Sequence, residues 1–162
     1  MTPTIQVDAT KAFAKFSPSG IPLSVKNNLR QVLPSLGLQL GRLVNAKLDN
    51  ELKSRKNINV TQEMRETTNA IYVQVAAKWL GPAASKMVPQ VLESGSRPHE
   101  IAARNAGALF FFWDKAGTNV MFKRVQHPGF PGIHYMANSL AEMNADIITT
   151  LRKAVVDGMN VG

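Results

Sequence analysis

The sequence predicts an α+β fold in which a long N-terminal helix and a C-terminal amphipathic helix accompany a small antiparallel sheet of about four strands, including a hairpin. Three observations predict it. Apolar residues recur at steps of three and four after Ser24, and again after His134, while the segments between them alternate or are rich in β-branched and aromatic residues. Such blocks of helical and strand periodicity are typical of α+β domains. With 162 residues, the chain suffices for one domain with a core.

Residues 1–22 are predicted to form an extended N-terminal arm. Turn signals stand at Pro3, at residues 17–20 (SPSG) and at Pro22, with little periodicity between them. An arm of this kind is disordered alone or ordered only against a neighbour. We therefore expect residues 23–162 to form a single α+β domain.

The stripe after Ser24 predicts a long helix, with the Ser24 hydroxyl as its N-cap. Pro34 lacks an amide hydrogen and clashes with the preceding turn, so we expect a kink or a break there. Gly37 and Gly41 either weaken the helix further or permit close packing. The apolar positions are Val25, Leu29, Val32, Leu33, Leu36, Leu40, Leu43, Val44, Leu48 and Leu52.

The net positive charge of the chain is compatible with two kinds of binding partner. The 19 lysines and arginines exceed the 11 acidic residues by eight, which supports either nucleic-acid binding or docking to acidic protein surfaces. The basic residues are scattered, and one loose cluster stands at the C-terminal end of the predicted helix, where cations suit the helix dipole. A solvated face is therefore favoured over a binding stripe. The cluster comprises Lys47, Lys53, Arg55 and Lys56.

The middle of the chain predicts short elements. After a loop at residues 57–59, residues 61–68 are interpreted as a short helix with Thr61 as its cap. Residues 71–77 (IYVQVAA) favour a strand, with helical continuation as the rival interpretation. Residues 87–93 are interpreted as a further strand.

A hairpin is predicted next. Residues 108–113 (ALFFFW) form a compact apolar run, interpreted as a strand buried on both faces. Residues 114–119 link it to a second strand at residues 120–126. Residues 127–132 (HPGFPG) predict an irregular loop. The second helix then begins near Met136 and is expected to close at Gly158; its stripe comprises Met136, Leu140, Met143, Ile147, Leu151 and Val155.

Several function classes lack their usual signals. The chain has no cysteine, which excludes disulfides, thiolate catalysis and cysteine-ligated zinc. Neither a phosphate-binding glycine motif nor a nucleophile elbow is present. The carboxylate pairs Glu63/Glu66 and Glu93/Glu100 lie in polar contexts typical of solvated or salt-bridged groups. We therefore expect no enzymatic activity and no cofactor.

Membrane and secretion signals are also missing from the sequence. No stretch approaches the ~20 apolar residues of a membrane span. Residues 1–8 are polar, and no apolar segment of the secretory kind follows the lysines at 11 and 15. The expected site of folding is a cytoplasm.

Three histidines, His99, His127 and His134, are candidate metal ligands. Their spacing matches no metal-binding helix and no acidic group accompanies them in a known pattern. Because His127 precedes a proline, its backbone is restricted to extended geometry. We expect its ring to fix the loop by hydrogen bonding, and we expect no metal site.

A nucleic-acid platform is the remaining chemical hypothesis. Lys115, Lys123 and Arg124 share the predicted hairpin with Trp113 and Phe122, a combination that resembles a base-stacking surface. Alternation along a strand produces the same pattern when a buried aromatic face is backed by an exposed basic face. The second interpretation is favoured.

Motifs in the C-terminal half resemble a known family. Residues 92–101 (LESGSRPHEI) resemble an E-G-(T/S)-x-P-H-x-I segment, and residues 120–129 (VMFKRVQHPG) resemble a V-x-x-K-x-V-x-H-P-G signature. Residues 134–140 (HYMANSL) stand where an aromatic residue and a helix follow. In this order the motifs are similar to those of tail-completion and head–tail joining (neck) proteins of long-tailed bacteriophages, the minor tail protein Z-like family. The likeness spans roughly 70 of the 162 residues. Residues 87–90 depart from it, since relatives usually carry an aromatic residue there.

The resemblance implies a structural virion protein of the phage neck. Such a protein forms a ring, commonly hexameric, which completes the tail and joins it to the DNA-filled head after assembly in the host cytoplasm. Its implied partners are a head-completion or connector protein and a tail terminator or tail-tube protein, with passive contact to DNA in the channel. A basic nucleic-acid-binding accessory protein is the alternative. The implied motif and interface residues are Glu93, Gly95, Pro98, His99, Ile101, Val125, His127, Pro128, Gly129, Tyr135 and Met136.

Overall fold

The computed structural model describes residues 2–8, 21–52, 57–67, 70–103 and 107–160. It confirms an α+β fold with a long N-terminal helix, a C-terminal helix and small antiparallel sheets. The helices are α1 (Leu23–Glu51), α2 (Val88–Ser94) and α3 (Tyr135–Met159), and a 3₁₀ turn spans Ala83–Ser85. The strands are β1 (Thr4–Asp8), β2 (Ile58–Glu66), β3 (Ile71–Trp79), β4 (His99–Ala102), β5 (Leu109–Trp113), β6 (Thr118–Phe122) and β7 (Arg124–His127).

The strands do not form the single four-stranded sheet that the sequence predicts. In the described ranges they form a three-stranded antiparallel sheet in the order β1-β3-β2, and two separate pairs, β4–β7 and β5–β6. The predicted strand at residues 120–126 is divided at Lys123, and its two parts belong to different pairs. The hairpin itself is confirmed, with Trp113 opposite Thr118 across the turn.

The core lies between the three-stranded sheet and the two long helices. Alternate residues of β3, from Ile71 through Val73 and Val75 to Ala77, are buried on the face that α1 covers. A Cβ atom at Gly37 would overlap the Val73 side chain, so this glycine permits the close approach of α1 to the sheet. The predicted apolar stripe of α1 is confirmed. Each fully buried leucine in it contributes roughly 2 kcal/mol of transfer free energy.

α3 packs antiparallel to α1. The Asn28 amide donates to the Ala154 carbonyl at 3.1 Å, and Lys47 pairs with Glu142 at 2.7 Å towards the other end. Gly158 lies inside α3 against Val25, so the helix continues past the residue expected to close it, to Met159. The close packing at this crossing explains why a glycine is needed there.

The N-cap prediction for α1 is wrong, and of the kink or break expected at Pro34 the break does not occur. The hydroxyl of Ser24 does not cap the helix, because α1 begins at Leu23 and Ser24 donates instead to the Gly158 carbonyl of α3. The helix also runs without a break through Pro34. Pro34 is exposed, so water can solvate the Arg30 carbonyl that loses its amide partner. The predicted cluster at Lys53, Arg55 and Lys56 lies outside the described residues.

Two short elements also differ from prediction. Residues 61–68 were expected to be helical, but β2 covers Ile58–Glu66 and pairs with β3 along its whole length. A short polar helix has little to stabilise it, whereas a neighbouring strand offers a complete ladder of hydrogen bonds. Residues 87–93 were expected to be a strand, but they lie largely in α2. Pro89 stands in its first turn, where no amide is required, and Val88 and Leu92 reach the core one turn apart.

Part of the predicted N-terminal arm is integrated into the sheet. β1 pairs antiparallel with β3, with Ile5 opposite Val75 and Val7 opposite Val73. The Ile5 and Val7 side chains are buried with the core. Thr4–Asp8 is therefore an edge strand of the domain, while residues 9–20 lie outside the described ranges.

Within the described ranges, no helix combines the length and the sustained apolar character needed to cross a membrane.

Candidate assembly surface

The N-terminus of α3 is capped by a carboxylate from α2. Glu93 accepts hydrogen bonds from the Met136 amide at 2.7 Å and the Ala137 amide at 3.0 Å. The residue at the N-cap position, His134, is left-handed with a φ of 50° and makes no side-chain cap. An anion at this end also interacts favourably with the helix dipole. Glu93 therefore joins α2 to α3.

Tyr135 makes a second connection between the same helices. Its side chain is buried and its hydroxyl donates to the Pro89 carbonyl at 3.2 Å. Burial raises the pKa of the Tyr135 phenol above its ordinary value, and the negative charge of Glu93 raises it further. The phenol is therefore a neutral hydrogen-bond donor and not a titrating group at physiological pH.

The two glycine-containing motif loops touch along their backbones. Ser96 and Phe130 exchange amide–carbonyl hydrogen bonds of 2.7 and 2.9 Å. Gly129 has a φ of 88°, and a Cβ atom there would lie 2.6 Å from the Ser96 carbonyl oxygen. A Cβ atom at Gly95, where φ is 78°, would likewise overlap the Phe130 carbonyl oxygen. These glycines are required because the two loops leave no space for a side chain and because their backbone favours glycine.

His99 and His127 are opposite each other on β4 and β7. Their ring centroids are 5.0 Å apart. The Nδ1 atom of His127 accepts from the Gly129 amide at 3.0 Å, and Nδ1 of His99 lies 2.8 Å from the Arg97 carbonyl. A carbonyl only accepts, so Nδ1 of His99 carries a proton, whereas Nδ1 of His127 does not. The hydrogen bond of His127 within its loop agrees with the role expected from the sequence.

No metal-binding arrangement accompanies this pair. Within the described ranges, no group of three or more His, Asp or Glu side chains has the geometry to hold a metal ion. Farther along the β4–β7 pair, Ile101 is opposite Val125 and Ala102 is opposite Arg124.

The structure thus brings most of the motif residues into one region, which we call the motif frame. It comprises the end of α2, the two touching loops, the β4–β7 pair and the start of α3. The frame ties the base of the hairpin to the helical body through hydrogen bonds and through the packing of Tyr135 and Met136 in the core. Its residues include Glu93, Gly95, Pro98, His99, Ile101, Val125, His127, Pro128, Gly129, Tyr135 and Met136.

Beyond the frame, the β5–β6 hairpin exposes an apolar face. Phe110 is opposite Met121, and Phe112 follows on the same face opposite Asn119. Phe110 is 70% exposed, Met121 65% and Phe112 58%. The expectation that residues 108–113 are buried on both faces is wrong, because none of the helices in the described residues covers this face of the hairpin. We call Phe110, Phe112 and Met121 the outer hairpin face.

The opposite face of the hairpin lines a cleft. Phe122 lies between Phe111 and Trp113, with ring centroids 6.2 and 5.9 Å away. Together with residues 124–128 these rings line a cavity of about 740 Å³. A smaller cavity of about 330 Å³ shares Phe111, Val125 and His127 with the first and extends to Ile101, Leu109 and the edge residue Phe110. We call the two cavities together the ribbon cleft.

The exposure of the outer hairpin face was not predicted from the sequence. The run LFFFW signals two apolar faces, because both alternating sets of side chains are apolar, but it does not indicate what covers either face. The same applies to Met121, which was assigned to the hairpin without an expected exposure. Only the positions of the helices show that these side chains remain open.

The four carboxylates of the two sequence pairs all accept hydrogen bonds; they are Glu63, Glu66, Glu93 and Glu100. Besides Glu93, Glu100 accepts from Arg124 at 3.4 Å. Hydrogen bonding to Arg65, with its charge, lowers the pKa of Glu63, and hydrogen bonding to Arg30 lowers that of Glu66. Proton transfer at neutral pH favours a raised pKa, so these shifts run in the wrong direction for a general acid.

Comparison with known proteins adds no relative. No family model, no curated protein and no solved structure matches the chain.

Proposed function

We propose that this chain is a non-enzymatic assembly protein of the neck of a long-tailed bacteriophage, where it forms a ring that completes the tail and joins it to the DNA-filled head. The outer hairpin face is the observation that carries the proposal. Phe110, Phe112 and Met121 form a contiguous apolar surface on a projecting two-stranded ribbon. Water solvates such a surface poorly, and exposed apolar patches mark interaction sites.

The low stability of an isolated two-stranded ribbon supports the same proposal. An isolated two-stranded hairpin is marginal in water, and stability comes from packing against another element. In a ring, each subunit contacts its neighbours through two different surfaces, and closure covers both. In this proposal, a neighbouring virion protein or subunit covers Phe110 and Phe112 and supplies the packing that the described part of the chain does not provide on this face.

The motif frame supports the proposal in a second way. The residues that carry the resemblance form hydrogen bonds and tight backbone contacts, and they position the hairpin relative to α3. A frame of this kind suits an interface that must be presented at a defined angle. Glu93 and the two histidines are used for structure within it.

The test is genetic complementation in the phage that encodes the chain. Removing the gene should leave DNA-filled heads and separate tails, visible by electron microscopy, and the wild-type gene should restore joined particles. A Phe110→Ser/Phe112→Ser double variant should fail to restore them. A matched Leu38→Ser/Ile148→Ser variant, which also removes two exposed apolar side chains, should restore them. Normal virions without the gene product would refute the proposal.

A second candidate function is a basic nucleic-acid-binding accessory protein. The observation that favours it is the exposure of Trp113 and Phe122, which are 44% and 40% exposed beside Lys115. The test is binding to DNA with a steep salt dependence that neutralising Lys115, Lys123 and Arg124 removes. This function ranks second because Lys123 does not line the cleft. The cations of the cleft therefore do not form a continuous row along which a nucleic-acid backbone could bind.

A further inference from the structure

The ribbon cleft differs from the outer hairpin face, although Phe110 contributes to both at the edge of the smaller cavity. It lies on the opposite side of the hairpin, between β5–β6 and β7, and it is large enough for several side chains. Its walls are mainly apolar. Phe111, Trp113 and Phe122 form one wall, and Val125 with Pro128 contributes to the other. An occupant must therefore bring apolar side chains of its own.

The charge at the rim specifies the occupant further. Lys115 and Arg124 line the larger cavity, and none of its described lining residues is acidic. Glu100 reaches Arg124 only at 3.4 Å, and the Arg124 side chain remains 72% exposed, so its other guanidinium donors are free for a partner. An apolar wall with two cations at its edge is complementary to an apolar side chain followed by a carboxylate.

Two other occupants fit less well. A single strand of nucleic acid requires a positive groove along its backbone, whereas the smaller cavity is lined by apolar side chains and His127. A second copy of this chain is also disfavoured in this cleft, because Lys115 and Arg124 favour an acidic segment and the 19 lysines and arginines of the chain outnumber its 11 acidic residues. Both alternatives are distinguishable from a peptide by experiment.

We propose that the ribbon cleft binds a peptide segment of a different protein, in which an aromatic or large aliphatic side chain lies within a few residues of an aspartate or glutamate. The apolar side chain packs among Phe111, Trp113 and Phe122, and the carboxylate pairs with Lys115 and Arg124. This inference does not rest on the phage proposal, since it follows from the cleft alone and is tested with the purified chain.

Selection from a displayed library of random peptides tests the proposal. Wild-type protein should enrich peptides that combine an apolar and an acidic residue at short spacing. The charge-reversed variant Lys115→Glu/Arg124→Glu should bind the enriched synthetic peptides about tenfold more weakly, a loss of about 1.4 kcal/mol. The same variant, used as bait, should enrich basic peptides. A fluorescein-labelled peptide in an anisotropy titration gives the dissociation constants.

The control reverses two charges elsewhere. Arg152 and Lys153 are exposed on α3, so Arg152→Glu/Lys153→Glu makes the same change in net charge away from the cleft. It should leave peptide affinity within twofold of wild type. Circular dichroism spectra that match the wild type show that both variants are folded.

Three outcomes would overturn the proposal. One is the absence of apolar–acidic peptides from the selected pool. Another is an equal loss of affinity in the control variant, which would indicate net charge and not the cleft. The last is that the peptides do not bind, but another molecule binds in a way that Lys115→Glu/Arg124→Glu abolishes. That molecule would be an oligothymidylate, or a second copy of the chain detected by light scattering.

Discussion

Replacing Glu93 with alanine tests the connection between α2 and the N-terminus of α3. The change removes both oxygens that accept from the Met136 and Ala137 amides, at 2.7 and 3.0 Å. Loss of a helix cap costs roughly 0.5–2 kcal/mol. Loss of an anion from a partly buried helix terminus adds up to about 2 kcal/mol. Since both effects act at Glu93, we expect the free energy of unfolding to fall by about 2–3 kcal/mol.

Urea denaturation followed by circular dichroism measures this change, because α3 contributes much of the helical signal. The midpoint should fall while the slope stays the same, since the surface exposed on unfolding is unchanged. For a chain of this size, a loss of 2–3 kcal/mol lowers the melting temperature by about 5–10 °C.

The matched control is Glu100→Ala in the same motif frame. Glu100 is exposed and reaches Arg124 only at 3.4 Å, so its removal should change stability by less than about 0.5 kcal/mol. If Glu93→Ala also changes stability by less than about 0.5 kcal/mol, the cap does not stabilise α3 and the reasoning fails.

Three further predictions follow from the backbone and the charges. Gly129→Ala should lower the free energy of unfolding by roughly 3 kcal/mol, because φ is 88° and neighbouring backbone atoms occupy the space of the new methyl group. Gly117→Ala should lower it by only about 1 kcal/mol in the same urea assay, because φ is 63° but the space around it is open. Pro34→Ala should stabilise the chain by about 2 kcal/mol, because it restores a helix hydrogen bond on an exposed face; an unchanged or lower thermal midpoint would contradict this. Arg30 lowers the pKa of Glu66 in the folded chain. The pair therefore stabilises the fold fully at pH values above the pKa of Glu66 in the unfolded chain, about 4.3, and this stabilisation is lost as the pH falls through the lower pKa of Glu66 in the folded chain. Glu66→Gln should therefore lower the urea midpoint at neutral pH and match the wild type in acid, and a difference that persists in acid would argue against the pair.

Much of the fold could be predicted from periodicity. The stripes from Val25 to Leu52 and from Met136 to Val155 predict helices because steps of three and four place side chains on one face, and long stripes leave no competing interpretation. The alternation of β3 was equally informative. Short segments were not, since β2 and α2 obtain their conformation from a neighbouring strand and from contacts of Val88 and Leu92 with the core.

The candidate site divides in the same way. The hydrogen-bonding role of His127 was predicted, because prolines and glycines restrict the backbone locally. The exposure of Phe110 and Phe112 was not, since the letters LFFFW describe a buried strand equally well. The cap by Glu93 joins residues 43 and 44 positions apart, a relation that no local pattern contains.

The sequence by itself determined the two long helices, the central strand, the hairpin and the loops around its base, because each depends on periodicity or on the backbone preferences of glycine and proline. Tertiary structure decided which strands pair, that Thr4–Asp8 belongs to the sheet, and that one face of the hairpin is left open. These features depend on which surfaces remain after α1 and α3 have covered the sheet. An apolar side chain encodes a preference for burial, but only the arrangement of the whole chain determines whether the chain itself satisfies it.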